Sequence, residues 1–73
     1  MRIRVNGEFH EVAERLSLNE LIIHLQLAGE RLAIELNHNV IRRAEWPIRT
    51  LQEGDRIEIV HFVGGGQSDE ACD

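Results

Sequence analysis

Three observations predict an α+β domain, with a mixed sheet of four to five strands and one main helix packed on one face. At the N-terminus Met1, Ile3 and Val5 alternate with Arg2 and Arg4, the period of a half-buried strand. Near the other end, Ile57 to Phe62 is an apolar run of strand length. Between them Leu18, Leu21, Ile22 and Leu25 fall at i, i+3, i+4 and i+7, so one face of a helix is apolar. With 73 residues there is room for one layered core and no second.

Each element has its own local signal. Asn6-Gly7 follows the first strand, and both residues tolerate positive φ, so a tight hairpin leads into a second short run holding Phe9 and Val12. Ser17-Leu18-Asn19-Glu20 reads as a capping box that starts the helix. The spacing predicts about ten helical residues, ended by Gly29 in a left-handed conformation. Leu32, Ala33, Ile34 and Leu36 form a third strand, closed by the turn-prone Asn37-His38-Asn39. Val40-Ile41 supports an edge strand of two or three residues. Arg43 to Trp46 reads as a single turn, because Pro47 disfavours helix at Trp46, which is expected at the rim of the core. Leu51 is a core plug, and Glu53-Gly54-Asp55 turns the chain into the last strand, Arg56 to Phe62. The order hairpin, helix, strand, short strand, last strand places the Met1 and Arg56 strands side by side in the middle of the sheet. That is the β-grasp, or ubiquitin-like, arrangement.

Composition narrows the function. At 42% hydrophobic and 29% charged residues the chain is globular rather than disordered. The net charge is −5, and Asp69, Glu70 and Asp73 supply three of those negative charges, so the body is only mildly acidic. Arg42-Arg43 is the only adjacent basic pair, which leaves no basic stripe for phosphates and makes nucleic acid an unexpected partner. No apolar run approaches 18 residues and no signal-peptide core follows Met1, so the expectation is a cytoplasmic protein with no membrane contact. His10, His24, His38 and His61 are spread over four elements without metal-site spacing. Ser68 and Cys72 are nucleophile types with no neighbouring base, and a lone cysteine forms no internal disulfide. Without an acid–base pair at useful spacing, the chain is expected not to be an enzyme.

The remaining feature is Gly64-Gly65-Gly66, directly after the last strand and Val63. Three glycines give broad backbone freedom and no side chains, so such a tail can thread a channel too narrow for a Cβ. A terminal linker has the same composition. The expected division is a domain over 1–63 and a flexible glycine-rich, acidic tail over 64–73.

Taken in order, several segments together resemble the bacterial ThiS family of sulfur carriers in thiamin biosynthesis. They are Asn6-Gly7, Ala33-Ile34-Glu35-Leu36-Asn37, Val40 to Trp46, Glu53-Gly54-Asp55 and Gly64-Gly65-Gly66. The resemblance implies that the terminal glycine carboxylate, here Gly66, is adenylated by a ThiF-like activating enzyme that uses ATP and Mg²⁺. Sulfur then replaces AMP, and the thiocarboxylate passes its sulfur to the thiazole synthase ThiG. It further implies a sulfur donor such as a cysteine desulfurase, and no cofactor bound to the carrier itself. The small subunit of molybdopterin synthase shares the fold and the Gly-Gly end and is the alternative carrier, while a β-grasp interaction module with a mere linker is the alternative outside that class.

The sequence departs from the family pattern after Gly66. Residues 67–73 turn the Gly66 carboxylate into an amide, so activation requires a processing protease that cuts after Gly66. The other reading of the extension is a neutral appendage. Val60 and Phe62 are expected on the sheet face opposite Ile57 and Ile59, as an apolar docking patch for the activating enzyme.

Overall fold

The computed structural model describes residues 1–62. The expectations on 63–73, namely the domain boundary, the tail glycines Gly64, Gly65 and Gly66, and Ser68 and Cys72, lie outside the described residues.

β1 (Arg2–Val5) and β2 (Glu8–Glu11) form the N-terminal hairpin. Asn6 and Gly7 stand at φ 50° and 86°, the two left-handed positions that a type I′ turn requires. β3 (Leu32–Leu36) pairs antiparallel with β4 (Asn39–Ile41), joined at Asn37 and His38, which both have positive φ. β5 (Arg56–His61) lies between β1, to which it is parallel, and β3, to which it is antiparallel. The five-stranded sheet therefore runs β2-β1-β5-β3-β4. This is the expected β-grasp, with the first and last strands as central neighbours.

One side of the sheet carries the core. Ile3, Val5, Leu32, Ile34, Leu36, Ile57 and Ile59 cluster with Leu18, Leu21 and Ile22 of the helix α1 (Leu18–His24), and Ile41, Trp46 and Leu51 complete the cluster. Each such side chain, fully buried, contributes about 1.5–3 kcal/mol, which is how a domain this small is held. The capping box forms as expected. The Ser17 hydroxyl accepts the Glu20 N–H at 3.0 Å, and the Glu20 carboxylate accepts the Ser17 N–H at 2.9 Å.

The end of α1 differs from the expectation. The helix has seven residues, not about ten, and Gly29 does not end it. The chain turns left-handed at Gln26 (φ 63°), where the Gln26 N–H bonds Ile23 O and the Leu27 N–H bonds Ile22 O. Those two bonds make a Schellman end, and they bring Leu27 back to pack against the core. Burying Leu27 outweighs the backbone strain of a non-glycine residue at positive φ. Gly29 (φ 89°) instead serves the next turn, which the Glu30 N–H closes on Leu27 O.

A second difference lies at Trp46. Arg43–Glu45 is a single 3-10 turn as expected, yet Trp46 itself is right-handed helical (φ −56°, ψ −42°) despite Pro47. Tertiary contacts override the local preference. The indole is only 2% exposed and donates from Nε1 to Ile41 O at 3.1 Å, while Trp46 O accepts the Asn19 N–H. Trp46 belongs to the core rather than its rim, and its carbonyl ties the 3-10 turn to the first turn of α1.

Candidate functional site at the end of β5

β5 is the element that delivers the chain to its C-terminal segment, and it is held on both sides. Along β3 the pairs run from Leu36↔Ile57 to Leu32↔His61, and the Phe62 N–H continues the edge with a 3.0 Å bond to Arg31 O. Along β1 the regular pairing is short, Arg4↔Arg56 and Val5↔Ile57. An asparagine extends it. The Asn6 N–H bonds Ile57 O, its Oδ1 accepts the Ile59 N–H at 2.7 Å, and its Nδ2 donates to Ile59 O at 3.3 Å. The side-chain amide thus acts as one more peptide unit of β1. At the start of β5, Asn37 Oδ1 accepts the Arg56 N–H and Asn37 Nδ2 donates to Asp55 Oδ1. Both asparagines read in the sequence as turn formers only. Their positive φ is what aims each amide at β5, and the strand partner is a tertiary fact that no local pattern carries.

Near the exit the side chains alternate as the strand period requires. Ile57 and Ile59 face the helix and are buried, whereas Val60 is 57% exposed on the opposite, open face. Phe62, one residue past the strand, is half-buried. Of the two residues expected to dock a partner, Val60 is therefore on the open face, where the patch is not wholly apolar, since Glu58 precedes it on the same face. His61 is exposed and lies 3.6 Å from the Glu30 carboxylate, a contact that becomes an ion pair when the imidazole is protonated. Arg43 Nη2 donates to Glu30 O at 3.3 Å, which steadies the loop on which Phe62 closes.

Among the described residues no group of three or more His, Cys, Asp or Glu side chains is placed to hold a metal ion. No helix there is long and apolar enough to cross a membrane. What the described geometry offers is a strand, bonded along both edges, that ends two residues before Val63 and the three glycines.

Comparison with known proteins gives this arrangement a family. The profile of the ThiS family matches residues 3–66, so the match runs through all three glycines. The chain is similar to a thiazole synthase of Magnetococcus marinus, at 43% identity over 67 residues, which is 92% of this chain and 21% of that protein. It thus spans about a fifth of that relative. It is also similar to the sulfur carrier protein ThiS of Escherichia coli, at 26% identity over 90% of this chain and 100% of the other. Among solved structures, the crystal structure of the thiamine biosynthesis protein (ThiS) of Geobacter metallireducens has a TM-score of 0.79 and 38% identity, covering 90% of this chain and all of that one.

Proposed function

This chain belongs to the ThiS family of sulfur carriers, and from that premise we propose that Gly66 is its reactive end. A ThiF-like enzyme adenylates the Gly66 carboxylate with ATP and Mg²⁺, releasing pyrophosphate. The outer sulfur of a persulfide on a donor such as a cysteine desulfurase then attacks the acyl carbon and AMP leaves. A thiol cleaves the S–S bond of the resulting acyl persulfide, taking the donor sulfur into a disulfide, and the freed thiocarboxylate gives its sulfur to thiazole formation. The carrier holds the reactive group, and its cytoplasmic partners perform the catalysis.

The observation that carries this reading is the family match through residue 66, directly beyond a strand held at both edges. The chemistry agrees with it. A carboxylate is a poor electrophile, and an adenylate has a good leaving group but hydrolyses in water. The activated end must therefore sit in a closed site that admits only a thin, extended chain. The match to part of a thiazole synthase supports thiazole synthase as the receiver of sulfur. In this reading Val60, exposed on the open face of β5, and Phe62, just beyond the strand, rest on the activating enzyme while the glycines reach past them.

Residues 67–73 have to be removed before Gly66 has a carboxylate. The test compares a chain ending at Gly66 with the full chain. Each is incubated with ATP, Mg²⁺ and an adenylating enzyme of this family, and intact mass is recorded. The trimmed chain is expected to gain AMP and then, with a sulfur donor, to exchange one oxygen for sulfur, while the full chain stays unchanged. A trimmed chain that binds the enzyme but is never modified would overturn the carrier reading. Detection of only the full chain in cells with an active pathway would overturn trimming.

A further inference from the structure

The open face of the sheet carries a charge pattern that works against its own fold. Arg4 of β1 lies directly opposite Arg56 of β5, and Glu35 of β3 directly opposite Glu58 of β5. Like charges in opposed cross-strand positions are destabilising. Arg56 and Glu58 are two apart on one strand and offset each other in part. None of the four side chains has an ion pair among the described residues. Arg4 stacks its guanidinium 4.9 Å from the centre of the Phe9 ring, and its buried Nε has no hydrogen-bond partner. Arg2, on the same face, is 3.6 Å from Glu11.

The apolar exposure is concentrated on this face as well. Of the five large hydrophobic side chains left exposed among the described residues, Phe9, Val40 and Val60 lie here. Their cross-strand partners are Arg4, Glu35 and Ala33.

We propose that this face pairs with the same face of a second copy of the chain, in a weak, salt-sensitive dimer. A two-fold axis parallel to the sheet and about 5 Å in front of its open face, passing between the Arg4–Arg56 pair and the Glu35–Glu58 pair, lays the basic pair of each copy over the acidic pair of the other. Both repulsions within a chain then become attractions between chains. Aligned sheet packing, with sheets about 10 Å apart, covers Phe9, Val40 and Val60 in the same step. The occupant follows from charge, because the face is complementary to itself once rotated. This inference does not depend on the carrier reading, but it bears on it. The dimer covers Val60, so the carrier must be a monomer when an activating enzyme docks there.

The test is sedimentation equilibrium of the full chain at about 0.01 M and about 1 M salt, between which the screening length falls from ~30 Å to ~3 Å. The wild type is expected to dimerise with rising concentration at low salt and to remain a monomer at high salt. Reversing one pair, in R4E/R56E or in E35R/E58R, should weaken self-association roughly tenfold or more at unchanged circular dichroism. An equimolar mixture of the two variants should associate again, with amide shifts confined to Phe9, Val40, Val60 and their strand neighbours. E35Q/E58Q replaces the second variant if that one does not fold, and it too should weaken the dimer. A wild type that stays monomeric at low salt, reversal variants that still dimerise, or shifts on the helix side would each overturn the proposal.

Discussion

The two faces of the sheet are made by the same strands from alternate residues, yet they are held to different standards. On the helix side Ile3, Ile34 and Ile57 are at most 1% exposed and meet Leu18 and Leu21, which are wholly buried. On the open side the neighbours of those same residues are Arg4, Glu35, Arg56 and Glu58, set in like-charged pairs with exposed Val40 and Val60 around them. A strand period of two lets one residue serve the fold and the next serve a surface, with little cost passed between them. Stability is therefore encoded at odd-numbered positions of β5, and recognition is free to use the even-numbered ones.

That division can be broken from either side. Ile34→Ala on the buried face should cost about 2–5 kcal/mol, enough to leave a domain of this size largely unfolded in a urea titration. Ser17→Ala, which removes the hydroxyl of the capping box, should cost about 1 kcal/mol in the same titration, and a cost near zero would mean that packing alone holds the first turn of α1. On the open face the sign reverses. Glu58→Thr relieves the repulsion with Glu35 and should stabilise the isolated domain by roughly 0.2–1 kcal/mol, read as a higher urea midpoint at unchanged slope. Val60→Asp should move stability least, within about 0.5 kcal/mol, while lowering the affinity for an adenylating partner in calorimetry. A Val60→Asp variant that unfolds, or one that binds as the wild type does, would erase the distinction between the faces.

Much of the fold was legible in the sequence because its signals are local. Asn6-Gly7, the Ser17–Glu20 box, the Asn37–Asn39 turn and Glu53-Gly54-Asp55 each act within four residues, and each appears where its pattern places it. The helix end was not legible, since the left-handed Gln26 carries no local signal of its own and the Leu27 it turns back packs against a core that forms only in the fold. Trp46 followed the same rule, its helical backbone set by bonds to Ile41 and Asn19 rather than by Pro47. Of the candidate site, the open-face position of Val60 followed from strand alternation. The Asn6 amide that carries β1 pairing out to Ile59 did not, because that bond spans 53 residues.

By itself the sequence determined where the strands turn, which residues alternate, and that three glycines follow the last strand. Only the tertiary structure decided the register in which the strands pair, and so that Arg4 meets Arg56 and Glu35 meets Glu58 on one face. The reason is physical. Turns and caps are set by bonds between near neighbours along the chain, whereas charges on different strands meet only after a shared core has fixed the register.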